Sequence, residues 1–147
     1  MDLSKKSIDI IGERLAKLDE AIFELEKTVK EYSLDKFIKE TKIQHATIYE
    51  LILGIEAICD IGGHILSYYF GRKSDTYKDI MKQLAETEVI PTSLYIKSEK
   101  MPDFRNLAIH VYLKIDEEMV YRDLPVSIKH FREYAKHFFK FIDEKSS

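Results

Sequence analysis

Apolar positions recur at three- and four-residue steps along almost the whole chain, the period of a helix with one buried face. Ile8, Ile11, Leu15, Leu18, Ile22, Leu25 and Val29 form one stripe and predict a helix over Leu3–Glu31, with Ser4 as its cap. Ser33 or Asp35 opens a second, long helix over about Leu34–Phe70, with a break expected near Thr41. Ile48, Leu51, Ile52, Ile55, Ile58, Cys59, Ile65, Leu66 and Tyr69 hold its period, and Gly71 ends it. Gly54, Gly62 and Gly63 each cost about 1 kcal/mol against Ala inside a helix. Three in so short a stretch predict another helix packed very closely there.

A third helix follows Ser74 or Asp75, carries Ile80, Met81 and Leu84, and stops at Val89, Ile90 and Pro91. A fourth is expected from about Ser93 to Tyr112, bent at Pro102. The last spans Pro125–Asp143 with proline in its first turn, and buries Ile128, Phe131, Ala135, Phe138 and Ile142. Long helices joined by short loops are antiparallel neighbours. The expected fold is therefore all-α, an antiparallel up-and-down bundle of about five helices forming a single domain over residues 1–147.

Composition narrows the chemistry. The chain has 147 residues, enough for one core without staples. Its lone cysteine, Cys59, excludes an internal disulfide framework and a cysteine-based zinc cluster, and is expected in the core. The formal charge of −3 gives no global attraction to nucleic acid, so any such contact needs a local patch. No apolar run approaches the roughly 20 residues of a membrane span, and the start has no apolar signal core, so a cytoplasmic protein with no membrane contact is expected. Gln occurs only at Gln44 and Gln83 and Asn only at Asn106, amid abundant Lys, Glu and Ile. Hyperthermophile usage and an AT-rich genome account for that bias equally well.

Residues 105–112 read RNLAIHVY. On a helix Asn106 and His110 share a face, as do Arg105 and Tyr112. Arg105 and His110 lie about 140° apart and flank a common edge, where a ligand held against a second subunit meets both. Leu107 is expected to face the core. Spacing alone leaves open that an Arg and a His on a surface helix are merely solvated.

The pattern R-x4-H followed by x-Y resembles the signature of the HEPN superfamily, and specifically of HepT-like ribonuclease toxins. The matching residues are Arg105, Asn106, His110 and Tyr112. Ile115-Asp116, Val120-Tyr121 and Leu124-Pro125 downstream, and EAICDIGGHI over Glu56–Ile65 upstream, are similar to that family as well. Val111 stands where such proteins often have a polar residue, a side chain that neither role below uses. The resemblance implies a metal-independent endoribonuclease without cofactor, acting on RNA as a homodimer whose two motifs line an interfacial cleft. Arg105 and His110 are then catalytic: His110 for proton transfer near neutral pH, Arg105 for phosphate. Asn106 is expected to hold the His110 ring or donate to phosphate. The resemblance further implies a minimal nucleotidyltransferase antitoxin (MntA-like) as partner, which transfers AMP to Tyr112. An ordinary interfacial tyrosine is the alternative.

Glu56, Asp60 and His64 form a stripe at four-residue steps. It admits a metal site, but no further ligand is evident, and a polar network joining Glu56 or Asp60 to the 105–112 helix is expected instead, with no metal. Lys129, Arg132, Lys136 and Lys140 form a basic stripe that suits either a phosphate track or a solvated face, the latter preferred. His130, Tyr134 and His137 share another face of that helix and are expected to pack or lie at the surface. The competing function is a non-catalytic helical subunit that binds a nucleotidyltransferase or its nucleotide. An intact R-x4-H favours the enzyme.

Overall fold

The computed structural model describes residues 3–110 and 115–146. Among them the chain forms seven helices and no strand: α1 (Leu3–Glu31), α2 (Leu34–Lys39), α3 (Thr41–Phe70), α4 (Tyr77–Glu86), α5 (Thr92–Ser98), α6 (Met101–His110) and α7 (Glu117–Ser146). The all-α expectation holds, but with more segments than five. Ser4, expected as a cap, already lies inside α1.

The bundle has four legs. α1 and α3 run antiparallel, joined along their length by Ser7–His64 and Arg14–Asp60. α7 starts beside the end of α1, where the Tyr121 hydroxyl donates to the Tyr32 carbonyl, and runs back past the Arg132–Glu26 pair. The remaining leg is the segmented return α4–α5–α6, which meets α3 first at Gly62 and then at Glu56. The core is continuous through these legs, from Ile11, Leu18 and Leu25 of α1 through Ile58, Ile61 and Ile65 of α3 to Leu124, Phe131 and Phe138 of α7.

The expected break near Thr41 is real. Ser33 caps α2 by accepting the Lys36 N–H, and the buried Gln44 amide reaches the carbonyls of Phe37 and Ile38, each at 2.8 Å. α3 ends at Gly71 in the left-handed conformation (φ 61°), where its N–H reaches the Leu66 carbonyl. By length and composition α3 is apolar enough to cross a membrane, which a scan for unbroken apolar runs missed; over half of its most apolar stretch is buried inside the bundle. That suits a central core helix, apolar around most of its girth.

Two of the three α3 glycines sit at close approaches. A Cβ on Gly54 would lie 2.2 Å from Phe131 of α7, and one on Gly62 would lie 2.7 Å from Leu84 of α4. Gly63 has only an ordinary 3.6 Å neighbour, Ile80.

Two boundaries differ from expectation. The fourth helix is two helices, α5 and α6, and Pro102 is the second residue of α6 rather than a mid-helix bend. Its expected last residues, 111 and 112, lie outside the described residues. The last helix starts at Glu117, not Pro125: the Asp116 carboxylate accepts the N–H groups of Glu118 and Met119 and caps it eight residues earlier.

Candidate functional site

α6 packs against α3, with Ala108 buried. Arg105 leaves its flank toward α3 and α4, whereas Asn106 and His110 are exposed. Leu107 does not face the core. It is 36 % exposed and, with Phe104, lines a groove of about 480 Å³ shared with Met101, Met119 and Phe131.

Arg105 is held from three directions. Its Nε and Nη2 donate to Glu56 Oε1 at 3.2 and 3.0 Å. Its Nη1 donates to Asn106 Oδ1 at 3.2 Å. Its guanidinium carbon stands 5.0 Å from the centre of the Tyr77 ring. Arg105 is 23 % exposed and Glu56 36 %, so the pair is half-sheltered, with less screening than a surface ion pair. A guanidinium has five N–H groups. Three are committed here, leaving one on Nη1 and one on Nη2 without a protein partner among the described residues. Both lie in the guanidinium plane and are available to phosphate oxygens. With Oδ1 turned to Arg105, the Asn106 amide nitrogen is left for other acceptors.

The α3 stripe divides three ways. Glu56 joins α6, as expected of the polar network. Asp60 instead pairs with Arg14 of α1, Nε to Oδ2 at 3.8 Å. His64 Nε2 lies 2.6 Å from Ser7 Oγ, and its pKa is lowered by burial and by Arg14 nearby. Among the described residues no three His, Cys, Asp or Glu side chains converge to hold a metal ion.

Cys59 is buried behind this corner. Burial pushes its thiol up to about 12, aided by Asp60 and Glu56 and opposed by Arg105, so it stays protonated and inert. Burial first, then Glu56, raises the Tyr77 hydroxyl, which remains neutral.

In the basic stripe of α7, Arg132 is drawn to Glu26. Tyr134 is fully buried and hydrogen-bonded to Ser98, and so is a packing residue. Tyr112 lies outside the described residues. The reading of sequence missed Tyr77: its contact joins α4 to α6, and no local spacing announces a pairing between helices.

The model of the family described as "Ribonuclease HepT-like" matches residues 18–138. The chain belongs to the HepT-like ribonuclease family. The match includes Glu56, Tyr77, Arg105 and His110. Solved structures share the fold of this HepT-like chain. The tri-AMPylated Shewanella oneidensis HEPN toxin, in complex with MNT antitoxin, superposes with a TM-score of 0.80 at 23 % identity, over 88 % of this chain and 96 % of that one. A toxin–antitoxin structure with AMP-PNP gives 0.79 at 22 % identity, covering 88 % and 98 %. The cytosolic protein of unknown function YutE from Bacillus subtilis gives 0.66 at 18 % identity, covering 96 % and 89 %. Comparison with curated proteins gave no match.

Proposed function

We propose that this HepT-like chain is the toxin of a toxin–antitoxin pair, a metal-independent endoribonuclease that works as a homodimer in the cytoplasm. The observation that carries the reading is the clamped Arg105 guanidinium, with two N–H groups uncommitted among the described residues, on the same short helix as an exposed histidine. Two of its N–H groups have no protein partner among the described residues and suit an oxyanion.

The chemistry follows from those groups. His110 takes the proton of an RNA 2′-hydroxyl as its oxygen attacks the adjacent phosphorus. Arg105 binds the non-bridging oxygens as negative charge builds on them. His110 of the partner subunit gives a proton to the 5′-oxygen as the phosphorus–oxygen bond breaks. The products are a 2′,3′-cyclic phosphate and a 5′-hydroxyl, and no step calls for a metal ion. A second copy is supported by apolar surface beside the site: Leu107 and Ile109 on α6, and Tyr49 and Leu53 on α3, are exposed. Tyr49, Leu53 and Glu56 share one face of α3 by their spacing.

Control is proposed to come from an MNT-type nucleotidyltransferase. The Tyr112 hydroxyl attacks the α-phosphorus of ATP, pyrophosphate leaves, and the adenylate covers the Arg105–His110 edge with bulk and negative charge. The tri-AMPylated HEPN toxin of like fold supports this role.

The test is cleavage of RNA by the purified chain in EDTA. The wild type is expected to cut, and Arg105→Ala and His110→Ala each to lose about a hundredfold or more while staying folded. Cutting that needs a divalent ion, or that survives both substitutions, overturns the proposal.

A further inference from the structure

We propose that Tyr77 is a positioning residue for Arg105, its ring forming the shelf that fixes the plane of the guanidinium. This deepens the ribonuclease reading and rests on it. Glu56 and Asn106 take donors along the edges of the guanidinium, which sets its reach but leaves it free to tilt about the line joining them. The Arg105 guanidinium carbon stands over the Tyr77 ring, 5.0 Å from its centre, a contact that opposes such tilting. A phosphate then meets the two uncommitted N–H groups in a single orientation.

The shelf is itself braced. Tyr77 opens α4, whose cap Thr76 accepts the Asp79 N–H at 3.0 Å. The Gln83 amide nitrogen lies 2.7 Å from Ser74 Oγ, 2.7 Å from Asp79 Oδ2 and 3.1 Å from the Lys73 carbonyl, stapling the loop before α4 to the helix. One and two turns after Tyr77, Ile80 and Leu84 lie where a Cβ on Gly62 would intrude, at 2.8 and 2.7 Å. The missing side chain at Gly62 lets α4 settle on α3, and that seat brings Tyr77 up to Arg105. The ring alone is needed, because the Tyr77 hydroxyl makes no hydrogen bond within the described residues.

The experiment compares RNA cleavage by wild type, Tyr77→Leu, Tyr77→Phe and Arg105→Ala, with melting temperatures for each. Losing the ring face is expected to cut kcat about tenfold, with a smaller change in KM, since a tilted guanidinium still meets phosphate but misses its alignment in the transition state. Tyr77→Phe, which restores the face, is expected to recover to within about twofold. A second readout does not depend on activity. The Arg105 Nε–H proton resonance should be displaced by the ring current in wild type and Tyr77→Phe, and should move toward the random-coil position in Tyr77→Leu. Should Tyr77→Leu fail to fold, that resonance in the wild type decides: a displaced signal supports the shelf, an undisplaced one removes it. Wild-type kcat in folded Tyr77→Leu beside an inactive Arg105→Ala overturns the role of Tyr77 and leaves the ribonuclease reading intact. Full activity in Arg105→Ala overturns both.

Discussion

The same substitution, Gly→Ala, should change stability in opposite directions at two places in this bundle. Gly12 lies inside α1 with nothing within 4 Å of a built Cβ, so alanine there only raises helix propensity. The expected gain is about 1 kcal/mol. Gly54 lies inside α3, and its Cβ would sit 2.2, 2.6 and 2.8 Å from three carbons of the Phe131 ring. Phe131 is 1 % exposed, so making room for the methyl group displaces its ring from a packed position. Overpacking of this kind costs about 1–3 kcal/mol, which exceeds the propensity gain. The net loss is about 1 kcal/mol, and the two variants should differ by about 2 kcal/mol. For a chain of this size each kcal/mol moves the melting temperature by roughly 2–4 °C, so the variants should be separated by about 4–8 °C, one above wild type and one below. The assay is thermal denaturation followed by circular dichroism at one fixed protein concentration, because association would make the midpoint concentration-dependent. If Gly54→Ala melts as high as Gly12→Ala, α3 and α7 are not in the contact described, and the account of why α3 carries glycine fails.

Glu56→Ala should lower cleavage about tenfold and stability by about 1 kcal/mol, because it releases two of the three anchored N–H groups of a half-sheltered pair; Glu56→Gln, which keeps an acceptor, should fall between it and wild type in both assays. The pKa values of His64, His130 and His137 are all lowered, burial being the first cause in each. The unfolded chain therefore binds more protons below about pH 6.5, so their contribution to stability is present above that pH and lost as pH falls through the folded values. Melting temperature should decline on acidification from about pH 7 to about pH 5, and His64→Gln should flatten that decline; an unchanged slope would contradict the assignment. Tyr112→Phe should gain no adenylate mass when incubated with the partner nucleotidyltransferase, ATP and magnesium, and should stay toxic when the two are co-expressed. Equal mass gain in wild type and variant would remove Tyr112 as the acceptor.

The long elements were legible because their signals are local. α1 announces itself by one unbroken stripe, and the start of α2 by its cap Ser33. The α3 glycines marked close packing at Gly54 and Gly62, though a glycine says only that space is short and not which helix fills it. Pro125 misled the reading of α7. Proline is favoured at helix starts, but here it is the ninth residue of a helix already capped by Asp116 and led by Glu117 and Glu118. That acidic cap was the better signal. In the candidate site, the link of Glu56 to α6 was legible from its stripe, whereas Arg105, Asn106 and His110 stand on the family resemblance. Asp60 shared the stripe with Glu56, but Arg14 of α1 stands nearer to it. Tyr77 was illegible because its contact with Arg105 spans two helices and depends on how close α4 lies to α3.

The central claim is that the Arg105–His110 edge cleaves RNA by internal attack of a 2′-hydroxyl, and the ends left on the products test it most directly. A defined RNA is digested in EDTA with wild type and with His110→Ala, and the product termini are read by mass spectrometry. The account predicts 2′,3′-cyclic phosphate and 5′-hydroxyl ends from the wild type and intact RNA from the variant. Products ending in 3′-hydroxyl and 5′-phosphate would mean that water, not the 2′-oxygen, attacks the phosphorus, and would contradict the role given to His110.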